Sequence, residues 1–290
     1  MATAEIADGE MLKYAERIKG KVVVLTGGAN GIGRDTAILC AQYGSAMHVR
    51  CNVLEWDDQV ALFEQAIAHF GAVDVVVPAA GISEHSTDFT GILNYRDGKP
   101  LPPDMLTLQI NLIGAIRTVH LGLHYLRSTR SKPDDWKALV LIGSMASWEA
   151  IPLTSMYTTS KFAIRGLMRS LYPLVKRDNI RIACVDPVWA DTQILSASAR
   201  FFLRGSELLT VRRISQTIFC AATDPDESTN GCSWLLPDAT GPVLRVERES
   251  LDQGTYKMIN DPMQMRPLFE KSLWLIVAMI VLVGYRFWKM

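Results

Sequence analysis

The chain has 290 residues, with Lys+Arg and Asp+Glu balanced at 30 each and 49% hydrophobic residues. That length is enough for one substantial core, and a zero formal net charge without any Lys/Arg-rich block excludes a nucleic-acid surface. Cys40, Cys51, Cys184, Cys220 and Cys232 lie singly in apolar stretches without CxxC or Cys/His ligand spacing. They read as reduced core residues in a cytosolic setting, and no metal site is expected.

Residues 1–17 are mixed in charge without an apolar run, and read as an N-terminal extension rather than a secretory signal. "KVVVLT" predicts a first strand. "GIGRDTAILCAQY" predicts a helix with Ile32, Ala37, Ile38 and Ala41 on its inner side. The helix runs out at Gly44, and "MHVRCNV" has the pattern of the next strand. The amphipathic "EWDDQVALFEQAIAHF" follows, ended by Gly71, and then the strand "VDVVVPAAG". Ser83 to Asp104 is polar and turn-rich, so a loop. "MLTLQINLIGAIRTVHLGLHYL" predicts a helix, "KALVLIGS" a strand, "SMYTTSKFAIRGLMRSLYPLVKR" a helix and "IRIACVDP" a strand. Residues 189–205 form a flexible stretch or short helix, "ELLTVRRISQTIFCAAT" a helix, and "GCSWLLPD" the last strand, completing the sheet by about Gly241. Such alternation predicts an α/β fold, a doubly wound parallel sheet with both faces covered.

Chemistry concentrates at a few places. "TGGANGIG" puts Gly27, Gly31 and Gly33 between a strand and a helix, which suits a tight turn, close approach of a pyrophosphate, and tight helix–strand packing. A purely structural glycine turn is the alternative. Tyr157 and Lys161 stand four apart on one helix face, a pairing that is common on ordinary helix surfaces. Ser144 ends a buried strand at the carboxyl edge, where open α/β sheets bind ligands. Asn111 sits in an otherwise apolar helix, where a satisfied core amide is the usual reading.

In their order along the chain, "TGGANGIG", "PAAG", "QINLIG", "GSMAS", "YTTSK" and "DPVWADT" resemble the short-chain dehydrogenase/reductase family, over about Ile18 to Gly241. The resemblance implies a Rossmann-like fold and an NAD(P)-dependent oxidoreductase that interconverts a secondary alcohol and a ketone. Its implied catalytic residues are Ser144, Tyr157, Lys161 and Asn111. Tyr157 would be the proton donor in reduction and acceptor in oxidation. A free phenol keeps its proton at neutral pH, so the positive charge of Lys161 would be needed to favour the phenolate. Ser144 would hydrogen-bond the substrate oxygen, and Asn111 would hold a water relaying protons towards Lys161. The implied cofactor contacts are Gly27, Gly31, Ile32 and Gly33 in the first motif, Ala80 and Gly81 in the second, and Pro187, Ala190 and Thr192 in the last. Asn52, Asn111, Tyr157 and Lys161 complete that set.

Several positions depart from the family pattern. Pro78 and Ala79 replace two asparagines, and Val188 replaces a glycine near the nicotinamide. Asn52 stands where an aspartate is usual on the adenine side. Between Gly44 and Met47 a strand–helix unit of roughly twenty residues is missing, and with it the residue that distinguishes NAD from NADP. Two readings stand. Either "MHVRCNV" takes the vacated place and pairs directly with "KVVVLT", or the sequence lacks a segment present in a working enzyme. Without an acidic residue at the ribose, and with Arg50 nearby, the cofactor reading is NAD(P) with a lean to NADP.

The C-terminus, residues 266–290, differs from the catalytic domain assigned to 18–265. Leu273 to Tyr285 is an uncharged run bounded by Lys271 and Arg286. Extended to Leu268 and Trp288, it suits a membrane anchor with Lys and Arg snorkelling and Trp274, Tyr285 and Trp288 at the interface. A tail packed on a partner subunit is the alternative. The expected location is a membrane with the catalytic domain facing the cytosol, or alternatively the cytoplasm. The expected partners are a small-molecule substrate, a membrane and a second copy of the chain. Phe201, Phe202, Leu195 and Ile194 point to a bulky apolar substrate of lipid, terpenoid or polyketide type. A catalytically impaired, membrane-tethered relative that keeps the fold for binding or regulation is the competing function.

Overall fold

The computed structural model describes residues 3–44, 46–84, 89, 93–128, 136–195 and 197–247. The apolar run Leu273 to Tyr285 and the side chain of Phe202 lie outside the described residues.

The strands β2 (Val23–Thr26), β3 (Val75–Pro78), β6 (Lys137–Ile142), β7 (Ile180–Pro187) and β8 (Ser233–Leu236) run parallel. Valine, isoleucine and leucine in β3 and β6 are buried on both faces, as a parallel sheet between helix layers requires. Val75, Val77 and Val140 face one core, shared with α1 (Gly31–Ala41) and α7 (Val211–Thr223). Val76, Leu139 and Leu141 face the other, shared with α2 (Trp56–Phe70) and α5 (Ser155–Arg177). The helix Leu106–Ser128 also packs on this second face. It consists of α3 (Leu106–Leu108), a π-helical stretch Gln109–Gly114, and α4 (Ala115–Ser128). It is long and apolar enough to cross a bilayer, but its small residues pack directly on the sheet: a Cβ on Gly122 would lie 2.9 Å from Val76. Its apolar side is the core face of this fold.

Two strands extend the sheet beyond the sequence reading. β9 (Val243–Val246) pairs antiparallel with β8, and β1 (Thr3–Ile6) antiparallel with β9, giving the order β1-β9-β8-β7-β6-β3-β2. The sheet therefore continues past Gly241, and the N-terminal extension belongs to it. Met11, Ala15 and Ile18 join the first core, and buried Arg213 binds the Asp8 carboxylate at 2.8 Å and the Asp238 carbonyl at 3.0 Å. Short, isolated strands of this kind carry little alternation, so pairing partners far away in sequence decide them. In the Ser83 to Asp104 loop, β4 (Tyr95–Arg96) and β5 (Lys99–Pro100) form a small hairpin. A short helix, α6 (Ala197–Phe202), follows β7.

At the opposite edge the pairing expected of "MHVRCNV" does not occur. β2 is the edge strand, paired with β3 alone among the described residues, and residues 46–54 form no strand. The far end of this stretch is tied elsewhere. Gln59 donates to the Val53 carbonyl at 2.7 Å and to Gly114 at 3.2 Å, and Arg117 donates to the Leu54 carbonyl. A Cβ on Gly114 would meet Val53 at 2.9 Å. These contacts hold the chain against the helix Leu106–Ser128 and away from β2. A slot of about 800 Å³ results, lined by Val23, Leu25, Ala37, Ile38 and Ala41, with Met47 and Val49 opposite. So Ile38 is not packed inward but 42% exposed, and Leu39 and Thr36 form the buried side of α1. The carbonyls of Val22 and Thr26 turn to β3, so Val23 and Leu25 direct their backbone groups at the slot. Both residues are only half-buried, so water can satisfy those groups at little cost.

Candidate active site

β2, β3, β6 and β7 all end at the same edge of the sheet, and the turns after them enclose a cleft of about 680 Å³. After β2, Gly27 (φ +76°) makes the turn. A Cβ there would sit 2.6 Å from Ala80, and one on Gly33 2.3 Å from the Gly27 carbonyl oxygen. Only glycine allows this closure, which brings backbone to the cleft wall. Asn30, at the start of α1, makes no side-chain cap, so the first N–H groups of that helix are not taken by its own N-cap residue.

Ser144 leaves β6 in extended conformation and starts a tight helical turn, Met145–Ser147. Its hydroxyl accepts from Ala146 N–H at 3.1 Å and donates to the Pro187 carbonyl at 3.4 Å. Beneath it lies Asp186, fully buried, whose carboxylate accepts from the Ser144 N–H at 3.0 Å, the Trp148 indole at 3.1 Å and the Cys184 thiol at 3.4 Å. Burial pushes the Asp186 carboxyl above its ordinary range, partly opposed by these donors, and raises Cys184 well above the usual thiol range.

Tyr157 and Lys161 stand one turn apart on α5. Lys161 is buried, donates to the Ile142 carbonyl at 2.9 Å, and lies 5.5 Å from the centre of the Tyr157 ring. Asn111 sits in the π-helical stretch, a distortion frequent at functional sites. Its amide donates to the Ile82 carbonyl and accepts from the Ile82 N–H, both at 2.8 Å, with Ser160 Oγ 3.5 Å away. Asn111 therefore clamps the turn after β3.

The cleft brings together Gly27, Gly31, Ile32 and Gly33, Ala80 and Gly81, Asn111, Ser144, Tyr157 and Lys161, and Pro187, Ala190 and Thr192. Asn52 lies outside it, accepting from Leu54 N–H at 3.2 Å in the turn that leads into α2. Ile194 and Leu195 line the cleft, whereas Phe201 is 69% exposed on α6 and does not. Sequence reasoning passed over Asp186 and Glu84. The signal for Asp186 was an acid near the end of a largely apolar strand; for Glu84 there was none.

The comparisons bear on family and fold. A family model described as short chain dehydrogenase matches residues 41–200, more than half of the chain, beginning where α1 ends. A 5′-hydroxyaverantin dehydrogenase of Emericella nidulans is 26% identical, covering 88% of this chain and 93% of that one. Their alignment spans 296 positions, longer than this chain, so the relative carries residues without counterpart here. An NADP-dependent dehydrogenase of Cochliobolus lunatus is 30% identical over 53% of this chain and 65% of its own. Among solved structures, a 3-ketoacyl-(acyl-carrier-protein) reductase from Brucella melitensis complexed with NADH superposes with TM-score 0.66 at 18% identity, covering 76% of this chain and 97% of that one.

Proposed function

Because the chain belongs to the short-chain dehydrogenase family, we propose that it interconverts a bulky apolar secondary alcohol and its ketone, with Tyr157 moving the proton. At the coarser level the protein is an NAD(P)-dependent oxidoreductase of alcohols and ketones. The observation that carries the finer reading is the convergence of Ser144, Tyr157 and Lys161 on one cleft that also opens to the glycine turn.

A dinucleotide suits the residues present. The tight turn at Gly27 and Gly33 and the N–H groups at the start of α1 offer a seat for the pyrophosphate, with Thr192 across from Gly31. Lys161 and Tyr157 would face the ribose and nicotinamide. When bound, the nicotinamide would supply or take the hydride. Ser144 would hold the substrate oxygen by its hydroxyl, exchanging its present bond to Pro187, while Asp186 keeps the Ser144 backbone in place. Tyr157 would donate its proton to that oxygen in reduction and recover it in oxidation, with the Lys161 ammonium favouring the phenolate. Ile82, Met145, Ile151, Val188, Ile194 and Leu195 give the cleft an apolar wall that excludes water and favours a bulky apolar substrate.

The preference for NADP rests on charge. Arg34 and Arg50 line the slot beside β2, and no carboxylate lines it among the described residues. A 2′-phosphate would meet cations there and no repulsion. The relatives named as NADP-dependent support the same lean. Asn111 we read as a clamp on Ile82 that leaves one carbonyl lone pair for a relaying water.

The reading is tested by following nicotinamide absorbance with decalone and NADPH, and with decalol and NADP. Turnover in both directions is expected; none in either direction, nor with NAD and NADH, would contradict it. The tail reading is separate. Leu273 to Tyr285 would tether the protein to a membrane, so the full chain should resist carbonate extraction while a chain ending at Lys271 stays in solution. Release of the full chain by carbonate would overturn the tether.

A further inference from the structure

Glu84 is the only carboxylate lining the cleft among the described residues. Both its oxygens are engaged by the catalytic helix: Oε1 accepts from the Met156 N–H at 3.3 Å and Oε2 from the Tyr157 N–H at 2.7 Å. These N–H groups belong to the first turn of α5, where no carbonyl of the helix itself can reach them. Thr154, the residue placed to cap that turn, makes no cap; its hydroxyl donates to the Ile151 carbonyl at 2.9 Å. The cap comes instead from across the cleft, and a carboxylate there is favoured by the helix dipole and by charge-assisted bonds. The three residues Ile82, Ser83 and Glu84 are each held by a different contact. Asn111 clamps Ile82, Thr107 donates to the Ser83 carbonyl at 3.2 Å, and Glu84 grips α5.

We propose that Glu84 is a positioning residue for the reaction: it fixes the first turn of α5, and hence the Tyr157 phenol, relative to Asn111 and to the loop that walls the substrate space. The role rests on the reading of Tyr157 as the proton carrier. Removing the carboxylate frees the turn bearing Tyr157, while Lys161, one turn further along and held by Ile142, keeps its place.

The test compares Glu84→Ala and Glu84→Gln in the full chain, with decalone and NADPH. Glu84→Ala should lower kcat by roughly 10–100-fold, as small displacements of reacting groups do, with KM and NADPH affinity within about twofold of wild type. Glu84→Gln keeps one acceptor oxygen and should recover most of the rate. Hydrogen exchange should quicken at the Met156 and Tyr157 amides in Glu84→Ala alone. A Glu84→Ala enzyme at wild-type kcat, or a loss in kcat that Gln does not recover, would overturn the role. Should wild type reduce no ketone, the reading of Tyr157 falls by itself; exchange then decides for the Glu84 contact, and unchanged amides at Met156 and Tyr157 would overturn it.

Discussion

The catalytic end of the cleft and the outer edge beside β2 were built by the same run of strands and turns, yet one is complete and the other open. At the first, Ser144, Lys161 and Asn111 are buried, each with a defined partner. At the second, β2 pairs with β3 alone among the described residues, Thr26 has a buried hydroxyl without a partner, and a slot of about 800 Å³ lies beside the strand. The difference follows from strand order. The groups proposed for catalysis follow β6 (Ser144) or lie on α5 (Tyr157, Lys161) and on the helix Leu106–Ser128 (Asn111), against the middle of the sheet, where strands pair on both sides. The strand–helix unit that the family pattern expects after α1 would lie beside β2, at this edge of the sheet. An edge unit can be lost without disturbing the register of the strands that carry chemistry.

The largest expected effect breaks the comparison from its intact side. Tyr157→Phe should lower turnover by about 10²–10⁴-fold with cofactor affinity nearly unchanged. A variant keeping more than roughly a tenth of the wild-type rate, with chemistry limiting, would count against the proton role. Lys161→Ala should harm both turnover and binding, measured in the same titration.

Packing gives a contrast of sign. Ala221 on α7 is fully buried in a filled core, so Ala221→Leu should cost about 1–3 kcal/mol by overpacking. Ala37 lines the slot, so the same change there should gain about 1 kcal/mol from the added apolar burial. Thermal unfolding of the two variants checks this; Ala37→Leu destabilising as much as Ala221→Leu would mean the slot is closed. Charge gives the smallest effect. Replacing the exposed Arg34 and Arg50 together by Ala should weaken NADPH binding by roughly threefold while leaving NADH alone. Equal loss for both cofactors would remove the 2′-phosphate reading.

Much of this was legible in the sequence because it is local. The glycine turn, the Tyr157–Lys161 spacing and the largely apolar strands β6 and β7 need only near neighbours to be recognised. What was missed depends on partners far along the chain. β1 exists because β9 lies beside it, and β9 is too short to announce itself. Val49 and Arg50 have strand-like neighbours, yet Gln59 and Arg117 hold the end of that stretch on another helix. Glu84 looks like an ordinary loop acid until α5 is placed against it, 73 residues later in the chain. The π-helical stretch around Asn111 follows from packing that no periodicity displays.

Titrating the purified protein with NADPH and with NADH, by nicotinamide fluorescence, tests most directly whether an intact catalytic end still works beside an open edge. The account predicts saturable binding of both, tighter for NADPH, with the NADPH advantage lost when Arg34 and Arg50 are replaced. Binding of neither would contradict it, and would make the chain a relative that keeps the fold and the catalytic side chains without the reaction.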